Sequence, residues 1–150
     1  MVRAKDIMTR EVVTVTPSTT ITELAKLLVD HKISGAPVVN NVGNIVGVVT
    51  ENDLINRNKR LHIPTVIRIF DAFYIPDHSD VEEEIKKMAA TTVWEICIKK
   101  VISVEEETPL DEIATIMAEK KVHLIPVVKE RKVVGIIGKY DIVRAVASEG

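Results

Sequence analysis

Two aspartates and a threonine stand where apolar runs give way to helix-like sequence, and they are the residues best placed to meet a ligand. The stretch Gly47-Val48-Val49-Thr50-Glu51-Asn52-Asp53 has a second copy, Gly135-Ile136-Ile137-Gly138-Lys139-Tyr140-Asp141. A strand that turns into a helix leaves backbone N–H groups unpaired, and that end attracts anions. An aspartate three residues into the turn can accept hydrogen bonds from sugar hydroxyls, and Thr50 can donate one to a phosphate. The same Thr50-x-x-Asp53 spacing is also that of a capping box, in which both residues merely terminate a helix. Asp141 recurs without a threonine to cap, which weighs towards a ligand. The residues point to recognition of a phosphorylated ligand with no chemistry done on it.

Catalytic alternatives find little support. No GxSxG, HExxH or P-loop pattern occurs. Val42-Gly43-Asn44-Ile45-Val46-Gly47 lacks the third glycine and the placement of a dinucleotide fingerprint. His31, His62 and His78 have no metal-ligand spacing. Cys97, the sole cysteine, lies between Ile96 and Ile98 and reads as packed rather than reactive. With one cysteine and no apolar signal core near Met1, the expected setting is the cytoplasm. No apolar run approaches membrane-spanning length. A net charge of −2 and 3% aromatic residues argue against a broad nucleic-acid surface.

The elements that must hold these residues follow in order. Glu11 to Val15 alternates like a brief strand, stopped by Pro17. Thr19 is the expected N-cap of a helix whose apolar stripe is Ile21, Leu24, Ala25 and Leu28. Ala36-Pro37-Val38-Val39 reads as a strand, with Pro37 expected at its start or edge because proline lacks an N–H. Asn40 to Gly43 is a hairpin turn, Asn44 to Val49 the returning strand, and Glu51 to Lys59 a short helix. In the middle, Ser79-Asp80-Val81-Glu82 has capping-box spacing and predicts a linker helix near 79–90. Trp94 and Phe70 are expected to pack the linker on the core.

The opening pattern then returns. Val104 repeats Val15 at an offset of 89 residues, and Gly135 repeats Gly47 at 88, so the second hairpin turn has lost one residue. Leu110, Ile113, Ala114 and Met117 match the first stripe, with Thr108 as the expected cap. Pro126-Val127-Val128 matches Pro37-Val38-Val39. The chain is a duplication, with units at 1–60 and 93–150 and a linker at 61–92.

Two registered copies in this order resemble a tandem cystathionine-β-synthase (CBS) domain pair, the Bateman module. The resemblance implies an α/β (α+β) fold of two pseudo-symmetric units, each β-α-β-β-α, packed through their sheets with clefts between them. It implies a regulatory adenosyl ligand, AMP, ADP, ATP or S-adenosylmethionine, and no catalytic cofactor. By the resemblance, Asp53 and Asp141 hold ribose hydroxyls and Thr50 touches phosphate. Ala36-Pro37 and Ile125-Pro126 wall the adenine, with Thr14 and Ser103 nearby. His123 faces phosphate in the second unit, where the first has Ser34. Gly35, Asn52, Leu124, Lys139 and Tyr140 flank these positions. Gly138 replaces the hydroxyl of Thr50, so the second cleft is expected to bind more weakly, aided by His123 at low pH. The resemblance also implies a homodimer, and the helix stripes Leu24/Leu28 and Ile113/Met117 are expected to build it. Any output is expected to act in trans on a separate protein partner. A scaffold with empty clefts that only dimerises is the competing reading.

Overall fold

The computed structural model describes residues 1–57 and 91–149. The expected linker helix near 79–90, Phe70, His62, His78 and the end of the second helix at Lys59 lie outside the described residues. In the first repeat the elements are α1 (Ala4–Ile7), α2 (Ile21–His31), β1 (Gly35–Val39), β2 (Ile45–Thr50) and α3 (Glu51–Arg57). In the second they are α4 (Val93–Ile96), α5 (Leu110–Lys120), β3 (Leu124–Lys129), β4 (Lys132–Gly138) and α6 (Lys139–Glu149).

Helix α2 forms because its apolar residues recur on one face, and Ile21, Leu24, Ala25 and Leu28 are all buried. Its N-cap is Thr20 rather than Thr19. The Thr20 hydroxyl accepts the Glu23 N–H at 3.2 Å, while Thr19 Oγ1 accepts the Thr16 N–H at 3.0 Å and closes the preceding turn. The second repeat makes the same shift: Pro109 is the cap of α5, and Thr108 Oγ1 accepts from Glu105 N at 3.0 Å. Both helices end on a lysine in the left-handed region, Lys32 and Lys121, each with φ of 54°.

Strands β1 and β2 pair antiparallel, as do β3 and β4, making two small sheets of an α/β fold. The opening strand expected at Glu11 to Val15 is reduced to a single parallel bridge, Val15 to Val38, because a turn through Thr16 and Thr19 follows at once. Pro37 sits in the middle of β1, not at its start. Its carbonyl accepts from Val15 N, so its missing N–H faces the side where only that bridge forms, and no ladder bond is lost. Pro126 and Val104 repeat this arrangement.

Each core is completed by the other repeat. Ala4 and Met8, which precede the first strand, pack with Val104, Ile113, Ile125, Val127 and Ile137 of the second unit. Val93, Ile96 and Cys97 pack with Ile21, Leu24, Val38 and Val49 of the first. The chain leaving each short helix then bridges the other repeat's second strand, Thr9 to Ile136 and Ile98 to Val48. This crossing explains the two matched glycines. A Cβ on Gly47 would lie 3.0 Å from Cys97 Sγ, and one on Gly135 would run into the Met8 side chain.

The stripes expected to build a dimer are core instead. Leu24 and Ile113 are 0% exposed and Leu28 is 7% exposed, and Met117 is half-buried against the second core, so the stripes turn inward. The exposed large apolar residues are others, notably Tyr140, Val143 and Val146 on α6 and Ile55 on α3. Trp94 is also exposed rather than packed on the core, with the Lys99 ammonium 4.6 Å above its ring. Cys97 is buried, and burial pushes its thiol pKa up.

Candidate functional site

The turns that end β2 and β4 both open onto one cleft of about 470 Å³. From the first repeat, Ser34, Thr50, Glu51, Asn52 and Asp53 line it. From the second come His123, Leu124, Gly138, Lys139 and Tyr140. His123, expected in a second cleft, thus shares the cleft of Thr50 and Asp53. The antiparallel register sets Ser34 beside the turn at Thr50 and His123 beside the turn at Gly138, and the packing of the two repeats brings both turns to one cleft.

Residues that the sequence reading did not assign to a site complete the walls. Val48, Ile98, Val101, Ile102 and Val122 add apolar surface, and Lys100 and Lys121 add positive charge. Their one legible signal was the alternation of Ile98-Lys99-Lys100, which puts Ile98 and Lys100 on the same side of an extended segment. That this segment crosses to Val48 is a tertiary event.

The other expected site residues lie elsewhere. Ala36 and Ile125 are buried at 1% and 0% exposure, and Pro37 and Pro126 are fully buried too, within the sheets. Gly35 is buried, and a Cβ there would meet Val49 O at 2.6 Å. Thr14 and Ser103 are exposed, one residue before the bridging Val15 and Val104. Asp141 is not among the residues lining the cleft. Its Oδ2 accepts the Gly138 N–H at 2.7 Å, and Oδ1 pairs with Arg144.

The hydrogen bonds at the turn bear on both readings of Asp53. Its Oδ2 accepts from Thr50 N at 2.8 Å and from Thr50 Oγ1 at 3.2 Å. Asp6 and Glu95 accept the backbone N–H of Arg3 and Thr92 in the same way, at 2.9 and 2.6 Å. A carboxylate three residues into a helix is therefore a recurrent cap in this fold. Asp141 caps through a backbone N–H and needs no threonine, which removes the argument drawn from its absence. The Thr50 hydroxyl has one proton, and it is donated to Asp53. Contact with a phosphate would require giving up that bond.

Among the described residues no three His, Cys, Asp or Glu side chains group to hold a metal ion, and no helix is long and apolar enough to cross a membrane.

Comparison with known proteins adds the family. The CBS domain model matches twice, at residues 4–60 and 93–148. The CBS domain-containing protein CBSX1, chloroplastic, of Arabidopsis thaliana is 31% identical over 140 residues, covering 87% of this chain and 57% of that protein. The chain thus spans little more than half of that relative. The CBS domain pair of protein MJ0100, in complex with 5′-methylthioadenosine and S-adenosyl-L-methionine, superposes with a TM-score of 0.76 at 26% identity, covering 100% of this chain and 99% of that one. CBSX2 of Arabidopsis thaliana in complex with AMP superposes at 0.75 and 25% identity, covering 99% and 98%.

Proposed function

The chain belongs to the CBS domain family, carrying two copies of the domain, and from that premise we propose that it is a regulatory sensor of an adenine nucleotide or adenosyl ligand, without catalytic activity of its own. One observation carries this reading: the cleft joins Thr50 and Asp53 of one repeat to His123, Lys139 and Tyr140 of the other. Its volume of about 470 Å³ and its apolar walls suit a small ligand with a few polar groups fixing its orientation. The adenosine compounds held by MJ0100 and CBSX2 support the class of ligand. We place the adenine against Val48, Ile98, Val101 and Ile102, and the ribose at Asp53.

A ligand that touches both repeats favours one relative arrangement of them, provided it binds that arrangement better than others. The output in this proposal is contact with a separate protein partner, in the cytoplasm. Exposed Tyr140, Val143 and Val146 on α6 favour self-association as a homodimer, the second part of the reading. Light scattering at micromolar concentration checks it, and a monomer there would refute it.

The ligand itself is tested by thermal and chemical unfolding of the chain with AMP, ADP, ATP and S-adenosylmethionine in turn. A ligand at a hundredfold excess over its Kd stabilises by about 2.7 kcal/mol. No stabilisation by any of the four, with no heat of binding, would leave only the scaffold reading.

A further inference from the structure

The cleft carries a charge pattern that separates adenosyl ligands from one another, and the inference drawn from it rests on the reading just given. Among the described residues lining it, Lys100, Lys121, Lys139 and His123 stand against Glu51 and Asp53. All three lysines are exposed, and none is in an ion pair among the described residues. Asp53 is already engaged as the cap of α3. The duplication supplies an internal comparison. Ile98 bridges Val48 as Thr9 bridges Ile136, so Lys100, two residues on along the same extended segment, corresponds to Glu11. His123 likewise corresponds to Ser34. The position that places a lysine beside the first turn therefore places a glutamate beside the second, while Ser34 and His123 both line this one cleft.

We propose that this cleft selects a phosphorylated adenosine over an uncharged or cationic adenosyl compound. Lys100 is the specificity-determining residue, and the counterpart positions around Glu11 do not take an adenosine phosphate. Opposite charge in a partly enclosed cleft attracts the phosphate, while a like charge there repels it by more than a surface pair would.

Calorimetric titration of the whole chain tests this with two main probes, AMP and the uncharged 5′-methylthioadenosine, and with the cationic S-adenosylmethionine on the unaltered chain. AMP should bind once per chain. Lys100→Glu should weaken AMP by about tenfold or more, while Lys100→Arg retains its binding. Binding of 5′-methylthioadenosine should stay within about twofold in both variants. For the unaltered chain, raising salt from about 50 mM to about 0.5 M should weaken AMP and leave the uncharged probe in place. Two equal AMP sites per chain, or a Lys100→Glu effect equal for both probes, would overturn the proposal. So would AMP binding indifferent to both Lys100→Glu and salt. If 5′-methylthioadenosine or S-adenosylmethionine binds and AMP does not, this inference falls and the sensor reading stands. If no adenosine compound binds, both fall.

Discussion

Asp53→Ala separates the two roles that its position allows. In the free protein the substitution removes the acceptor of the Thr50 N–H at 2.8 Å and of the Thr50 hydroxyl at 3.2 Å. The loss is that of a helix cap, about 0.5–2 kcal/mol. A domain of ordinary stability, about 5–15 kcal/mol, remains more than 99% folded after it. Any larger change in ligand affinity then cannot come from unfolding. If Asp53 also accepts hydrogen bonds from a ribose, its removal costs the complex about 1.5–3 kcal/mol more, roughly ten- to a hundredfold in Kd. Urea denaturation without ligand gives the first quantity. Calorimetric titration with AMP, well below the melting temperature, gives the second. Cys97 provides an internal check, because the charge of Asp53 helps to hold its thiol pKa up and the variant should lower it. A stability loss of capping size with unchanged AMP affinity would refute the ribose role and leave Asp53 a cap, like Asp6 and Glu95.

Three further outcomes follow from the fold. Gly135→Ala should destabilise by about 1–3 kcal/mol through collision with Met8, and a double-mutant cycle with Met8→Ala should show the two effects coupled. Glu130 and Arg131 hold φ of 51° and 70° in the tight turn between β3 and β4, so replacing the pair by Asn-Gly should stabilise by about 1 kcal/mol, read as a higher urea midpoint. The Lys5 ammonium donates to Glu107 at 2.7 Å and holds that carboxyl below the usual glutamate range. The small stabilisation from this pair is present above about pH 4.5 and is lost as pH falls through the lowered pKa. Lys5→Ala should raise the Glu107 pKa in an NMR titration with little change in stability at neutral pH, as the pair is solvent-exposed.

The expected difference between two clefts changes in character once the hydrogen bonds are known. From the sequence, the hydroxyl of Thr50 against Gly138 was worth a full hydrogen bond to phosphate. In the structure that hydroxyl already donates to Asp53, so a phosphate would gain only the difference between two bonds. Lys100 against Glu11 is the larger contrast. It was invisible as a site feature because its cleft is reached only through the bridge from Ile98 to Val48.

The sequence by itself determined the duplication, the positions of both hairpins, the buried stripe of α2 and the two strand-to-helix turns. The first hairpin, the stripe and the turns depend on residues close together in the chain: turn-forming asparagine and glycine, helical periodicity, and a carboxylate three residues past a cap; the second hairpin follows from the repeat. It placed both N-caps one residue early, since Thr19 and Thr108 each close the turn before the helix and leave the cap to the next residue, Thr20 or Pro109. The tertiary structure alone decided which repeat completes which core, and so which residues meet in the cleft. An apolar pattern states that a face is buried but not against what. Ala4, Met8, Val93 and Ile96 each find their partners in the other repeat, and that exchange carries Lys100 to Thr50 and Asp53.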